Sequence, residues 1–414
     1  MSKQAATGPH VLRQMNVAAV LGALRKAGAG GTRVTDLAAE TGLSRPAVTR
    51  GLAELIERGL AESGSTTNPG AQMGRPAQYV RFRAEYGHVA GVDIGPHHVR
   101  VLIADLSGTV LGAHHALVPP DADGQRLFET TKAALTAATV AASIDLSDLW
   151  AVTVGTPGIV DEELSKVLIA PSIPGWAALP VVPLLRTWLH CPVHIDNDVN
   201  LAVLAELGQS ADGQAVGTMV YVHWGERIGT GVVIEGRPYR GTHGAAGELG
   251  FIDLGPDEPE GGSPADGMGA FERQVGAAAV RQLARDAGLP VDDNDCIAGV
   301  FDAASSGDPA AAAVVDAVAA RFVRGLATLV LLMDPGLIVI GGGVSRAGEV
   351  LLEPLRRKLA RRTLTPVTLR TSTAGERAVA LGAVQHALGA TEDRLTASPE
   401  ARERPHPPGQ SGPS

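Results

Sequence analysis

The chain has 414 residues, 45% hydrophobic and 19% charged, a globular composition with length enough for two or three domains. It holds no run of about 18 apolar residues and no apolar stretch after its first charges, which excludes a transmembrane helix and predicts a cytoplasmic protein with no membrane partner. Two cysteines, Cys191 and Cys296, make neither a disulfide framework nor a metal cage, and 3% aromatics exclude a base-stacking platform for nucleic acid.

Net charge is −9, but unevenly spread: residues 1–87 carry eleven Lys and Arg against six acids, +5, which leaves −14 for the rest. A basic head on an acidic body predicts a polyanion partner for the head alone.

Residues 1–10 read as disordered, and 11–86 as a DNA-binding head. From Val11 to Lys26, Val17, Val20, Leu21 and Leu24 recur at helical spacing until Gly28 to Gly31 stops the helix. Leu37 and Ala38 face inward from a second short helix and Gly42 turns the chain. Ser44 caps a third helix, with Pro46 in its first turn and a stripe of Val48, Leu52, Leu55 and Ile56. Short helix, glycine turn and recognition helix make a helix-turn-helix, and Ser44, Arg45, Thr49 and Arg50 lie where base edges and phosphates are read. Between Ala61 and Phe82 two extended pieces flank SGSTTNPGAQMGRP, a wing whose Arg75 has the shape to enter a narrow minor groove.

The body, 87–390, starts with strand Val89 to Ile94, where Asp93 and Gly95 end a strand before a turn. A helix over Gly124 to Ala142 and a buried strand Leu149 to Val154 lead to Gly155-Thr156-Pro157-Gly158. Strand Val193 to Ile195 then runs into Asp196-Asn197-Asp198 at the mouth of a helix. An acid and an amide there can fix adjacent hydroxyls of a polyol, and an Asp can take a hydroxyl proton; a plain helix cap is the competing reading. Val220 to Val222 and Val232 to Ile234 form a hairpin around Gly225, Gly229 and Gly231, a design like that of Val89 to Asp105. Two such hairpins predict two related lobes, each lending a phosphate-sized glycine loop to one cleft. Helices follow over Ala270 to Ala287, Ala310 to Met333, Gly348 to Arg361 and Val379 to Leu388, with strand Leu337 to Ile340 running into Gly341-Gly342-Gly343. Residues 391–414 read as a disordered tail.

GVDIG at Gly91, GTPGIVD at Gly155, DNDVN at Asp196, GRPYRGTHGAAGELG at Gly236 and MDPGLIVIGGGVS at Met333 together resemble the ROK family, which joins bacterial sugar kinases to sugar-responsive transcriptional regulators. The resemblance implies an α/β, actin-like (ribonuclease-H-like) two-lobed sugar kinase fold behind a winged helix-turn-helix, assembled as a homodimer or homotetramer. It implies that Gly158, Asn197, Asp198, Glu248, Glu272 and His243 contact the sugar, Asp198 matching the kinases' catalytic base.

The departures from the family pattern point away from catalysis. Where kinase members read close to DIGGTK, Gly95 is followed by Pro96, His97 and His98, losing an N–H donor and a hydroxyl. Where they read GTGIGGG, the chain has Gly225-Glu226-Arg227-Ile228-Gly229, with a carboxylate at Glu226 in place of a phosphate neighbour; such a like pair ~4 Å apart costs about 4 kcal/mol at an effective dielectric near 20. Asp93, Gly95, Gly225, Glu226 and Gly229 are therefore read as degenerate phosphate loops that do not hold ATP. Phe251 replaces the family's zinc histidine and the loop after it has no cysteine, so no cofactor and no structural zinc are expected. The expectation is a regulator, a repressor, that binds double-stranded operator DNA and senses a sugar or sugar phosphate without converting it. The alternative is an ATP-dependent sugar kinase carrying a DNA head.

Overall fold

Helix α1 (Pro9–Lys26) buries Val17, Val20, Leu21 and Leu24 as its spacing requires, against α2 (Val34–Thr41) and α3 (Arg45–Glu57). The computed structural model describes residues 9–28, 30–65, 78–119, 121–208, 217–225, 227–254, 267–290, 296–392 and 395. Gly42 ends α2 in the left-handed conformation, φ 67°, and so sets the turn into α3. Ser44 holds the N-cap position with an extended backbone, yet its hydroxyl makes no cap bond. Ile56 departs from the expected stripe: Val48, Leu52 and Leu55 are buried, but Ile56, on the last turn, is 40% exposed. Strands β1 (Thr32–Arg33), β2 (Ala61–Ser65) and β3 (Gln78–Phe82) form a small antiparallel sheet in the order β1-β3-β2, the base of a winged helix. The wing tip with Arg75 lies outside the described residues.

The first lobe of the body is a five-stranded sheet in the order β10-β7-β4-β5-β6, made of β4 (His88–Ile94), β5 (His98–Asp105), β6 (Val110–Leu117), β7 (Leu149–Thr156) and β10 (Val193–Asn197). Every residue of β7 is buried, as a central strand covered on both faces demands. Helix α4 (Gly124–Ala141) covers one face, its first turn capped by Asp123 accepting from the Arg126 N–H. The hairpin β8 (Ile159–Asp161) and β9 (Lys166–Ile169) and helix α5 (Val181–Leu189) complete the lobe, all three unanticipated because their apolar runs are short. Helix α6 (Asp198–Gly208) follows β10 directly.

The second lobe is again five-stranded, in the order β13-β12-β11-β14-β15, from β11 (Met219–Trp224), β12 (Ile228–Ile234), β13 (Arg237–Tyr239), β14 (Leu337–Gly341) and β15 (Thr368–Thr371). Helices α7 (Ala270–Val275), α8 (Ala277–Asp286), α9 (Cys296–Ser305), α10 (Pro309–Met333) and α11 (Glu349–Leu359) belong to it. The single helix expected over 270–287 is two, because Gly276 is extended (ψ 174°) and turns the chain so that the Ala277 N–H reaches the Gly225 carbonyl at 3.1 Å. The last helix, α12 (Ala378–Ala390), packs with α6 in one cluster with β11, β12 and β14.

Glycine makes that packing possible. A β-carbon at Gly91 in β4 would lie 2.2 Å from the Ala380 carbonyl, and one at Gly382 would lie 1.7 Å from that of Leu201, so α12 rests directly on β4 and on α6. Gly229 and Gly231 fall inside β12, not in a loop: β-carbons there would sit 2.4 Å from Val199 and Val203, both on α6. Helices α6 and α12 thus touch the strands of both lobes, and α6 delivers its first residue, Asp198, to the level where β4, β11 and β14 end.

Two compact units emerge from the contacts: Met1–Val89 with Ala104–Leu111 and Leu388–Ser414, and Ala90–Ile103 with Gly112–Ala387. In the first, the Leu106 N–H donates to the Ala84 carbonyl at 3.1 Å. The described part of the expected tail has partners within that unit: Glu392 pairs with Arg25, the buried Arg58 donates to the Leu395 carbonyl at 3.0 Å, and Thr391 and Leu395 are buried. Among the described residues no helix is long and apolar enough to cross a membrane.

Candidate functional site

The head presents Ser44, Arg45, Thr49 and Arg50 exposed on the first turns of α3. Among the described residues neither Arg45 nor Arg50 is paired with an acid, whereas Arg13 and Arg58 both engage Glu54. Arg45 and Arg50 are thus without an acid partner at the recognition position, as is Arg33 at the edge of the small sheet, which bonds the Tyr79 hydroxyl at 3.2 Å.

In the body, the sequence Asp196-Asn197-Asp198 is pulled in three directions. Asn197 accepts from the Val199 and Asn200 N–H groups at 2.9 and 3.2 Å, capping α6, and its amide donates to the Gly158 carbonyl at 2.8 Å. Asn197 thus caps α6 and at the same time holds the Gly158 turn. Gly158 is at φ 101°, with the Ile169 carbonyl 2.0 Å from where a β-carbon would be, so no other residue fits. Asp198 stands half-buried at the start of α6 with Oδ1 accepting from the Val199 N–H at 2.8 Å. Burial pushes its carboxyl above the usual carboxylate range, opposed by His223 and reinforced by Asp93. Burial also raises Glu248, with Asp198 and Glu272 adding their charges. Two desolvated carboxyls near one another form an acceptor-rich site, which hydroxyl donors of a polyol would satisfy.

His243 is exposed, in a loop whose Gly244 lies against β8: a β-carbon there would be 2.6 Å from the Val160 carbonyl. Glu272 has a different situation from that expected of a sugar ligand. It is buried, and its two oxygens accept from the Ile228 N–H at 2.8 Å and the Gly269 N–H at 2.9 Å. The carboxylate is spent holding α7 to β12.

The glycine loops are occupied by the chain itself. Asp93 Oδ2 receives His98 Nε2 at 3.2 Å and Arg100 Nη1 at 3.3 Å, and Arg100 continues to the Glu376 carbonyl and carboxylate. The His98 ring covers Gly95, whose β-carbon would lie 2.4 Å from Cε1. In the second loop the Gly225 N–H donates to the Arg227 carbonyl at 3.1 Å and the Ile228 N–H to Glu272, while Arg227 reaches the Gly267 carbonyl at 2.6 Å. Glu226 lies outside the described residues. Phe251 is half exposed where a zinc histidine would stand, and among the described residues no three His, Cys, Asp or Glu gather as a metal site.

Sequence reasoning missed His98 and Arg100 as partners of Asp93, His223 beside Asp198, and Arg240. Arg240 donates to Asp196 Oδ2 through Nη2 at 2.6 Å and Nε at 3.1 Å, with Asp196 buried. The signal available was spacing: His98 and Arg100 alternate on one face of β5, opposite β4.

A winged helix-turn-helix followed by two five-stranded lobes defines a sugar-kinase-like body joined in sequence to a DNA-binding head. The ROK family profile matches residues 89–389 and the IclR helix-turn-helix domain profile residues 15–64. The chain belongs to the ROK family, with the architecture of its transcriptional regulators. It is 30% identical over 359 residues to the N-acetylglucosamine repressor of Escherichia coli O157:H7, covering 83% of this chain and 84% of that protein. It is also 30% identical over 282 residues to a glucokinase of Halalkalibacterium halodurans, 64% of this chain and 83% of that one. In fold it resembles a crystal structure of a ROK family transcriptional regulator, a homolog of the E. coli MLC protein, with a TM-score of 0.73 at 24% identity over 94% of this chain and 98% of that one.

Proposed function

We propose that this chain is a transcriptional repressor whose body binds a sugar without phosphorylating it. The observation that carries the reading is the self-occupied phosphate site beside the acidic cleft. Asp93 is paired with Arg100 and in hydrogen-bond contact with His98, Gly95 is covered by the His98 ring, and the Gly225 and Ile228 N–H groups are bonded internally. A nucleotide phosphate would have to displace all of these, whereas Asp198 and Glu248 remain available to hydroxyls. The repressor relative, similar along both head and body, supports the same assignment.

The head binds an operator as a symmetric dimer, with recognition helices about one DNA turn apart, ~34–36 Å or a multiple. Sugar in the cleft favours one state of the body, and a differential affinity of about 1–3 kcal/mol changes operator affinity about 5–150-fold. Asp198→Ala tests this: it abolishes the sugar response and leaves operator binding intact. Persistence of sugar-driven release in that variant would place the pocket elsewhere.

One observation favours sugar kinase activity instead: the raised Asp198 carboxyl is suited to take a hydroxyl proton, and a glucokinase is among the relatives this chain resembles. Coupled detection of ADP over D-glucose, N-acetyl-D-glucosamine and D-xylose separates the readings, since turnover above about 1 per second is ordinary for a kinase.

A further inference from the structure

Asp196, next to the two residues of the polyol site, begins a continuous polar chain that ends on another element. Arg240, at the root of the loop carrying His243 and Glu248, bonds Asp196 with Nη2 and Nε, and its Nε also lies 3.1 Å from Glu162 Oε2. Glu162 Oε1 in turn meets His386 Nε2 at 3.2 Å, and His386 Nδ1 meets the buried Thr153 hydroxyl at 3.1 Å. Asp196 itself holds the Asn197 N–H and the Asn200 amide through its other oxygen, at 2.8 and 3.3 Å. The chain therefore joins five elements: the Asp196 turn of the first lobe, the Arg240 loop of the second, the β8 hairpin, α12 and β7.

Helix α12 is the member that leads out of the body. Leu388 and the residues after it belong to the head's compact unit, where Glu392 pairs with Arg25 of α1 and the Leu395 carbonyl accepts from Arg58, just past the recognition helix. A ligand that shifted the Asp196 turn and the Arg240 bonded to it would reset the Glu162 contact, and with it the hold on His386.

We propose that Arg240, Glu162 and His386 are positioning residues that couple the polyol site to α12, and through its C-terminal residues to the DNA-reading head. The inference rests on the repressor reading above. Coupling needs an element both sites bias, and α12 is that element.

The test uses the full chain and a duplex selected from a random library by the unliganded protein. Operator affinity is read by fluorescence anisotropy with and without D-glucose, N-acetyl-D-glucosamine or D-xylose, and sugar affinity by calorimetry. Glu162→Gln breaks the route at its most exposed point, the side chain being 39% exposed, so the fold survives. It keeps sugar affinity and unliganded operator affinity within about threefold of the parent while the sugar-induced change in operator affinity falls below about twofold. His386→Gln gives the same loss, and the double variant is no worse than either single one, as members of one route require. Glu162→Asp restores part of the response. If Glu162→Gln and His386→Gln retain the parent's full sugar response, or lose sugar affinity while keeping that response, the coupling role is overturned and the repressor reading stands. If the parent itself shows no sugar response, the repressor reading fails and takes this inference with it.

Discussion

Gly229 offers a clean way to ask whether the second glycine cluster cradles phosphate or packs a helix. A β-carbon there would sit 2.4 Å from Val199 Cγ2, with the next nearest atoms, also of Val199, at 3.6 and 4.0 Å. Ordinary carbon contact is about 3.5–4.0 Å, so Gly229→Ala forces a displacement of roughly 1.1–1.6 Å between β12 and α6. Overpacking of that order costs about 1–3 kcal/mol, offset by about 0.4–1 kcal/mol because alanine lowers the entropy of the unfolded chain at a position whose φ is negative. Val199→Ala alone removes two buried methyls, roughly 2 kcal/mol with its cavity. The whole clash is with one side chain, so the double variant should cost less than the sum of the singles by about 0.5–3 kcal/mol. Urea denaturation of the four proteins at fixed slope measures this. A Gly229→Ala midpoint equal to the parent's, or costs that add to within about 0.5 kcal/mol, would refute the packing account and return Gly229 to the phosphate loop.

Other outcomes follow from the same geometry. Asp198 has a raised pKa in the folded chain, so its ionised form destabilises the fold above that pKa, and the penalty fades as pH falls toward the unfolded value; Asp198→Asn should raise the melting temperature at pH 7, by an increment that shrinks on acidification, while abolishing sugar binding. For the same reason sugar affinity of the parent should decline with falling pH earlier than an ordinary carboxylate would dictate, since Asp198 and Glu248 both take up protons there; titration calorimetry from pH 8 to pH 5 reads it. Arg100→Met leaves Asp93 buried with one partner fewer and should cost about 3–5 kcal/mol in urea, most of it recovered in Asp93→Asn/Arg100→Met. Arg50→Ala should weaken operator binding and lower the slope of log affinity against log salt by about 0.9 for one lost phosphate contact, with sugar affinity unchanged.

Local signals carried most of the fold. The α1 stripe, the Gly42 turn and the β11–β12 hairpin lie close to their expected positions because each is set by contiguous residues. Elements whose existence depends on distant partners were not legible. Helix α9 needs Val300 and Phe301 to meet the second lobe's core, and the break at Gly276 exists because Ala277 must reach Gly225. At the site, DNDVN located the acidic turn, but not that Asn197 both caps α6 and holds Gly158. Glycine in GERIGTG reads equally well as close approach to a phosphate or to a helix; only the position of Val199 and Val203 decides. Glu272 shows the converse: a family motif suggested a ligand, and two backbone N–H groups claim the carboxylate.

The proposed function requires that a sugar bound by the body loosen the head on DNA. Anisotropy of a labelled operator duplex bound by the full chain, titrated with D-glucose, N-acetyl-D-glucosamine and D-xylose at constant salt with no nucleotide present, addresses it in one experiment. At least one sugar should lower operator affinity by about 5-fold or more without ATP. Operator affinity indifferent to every sugar until ATP is added, and then changing as ADP accumulates, would contradict it.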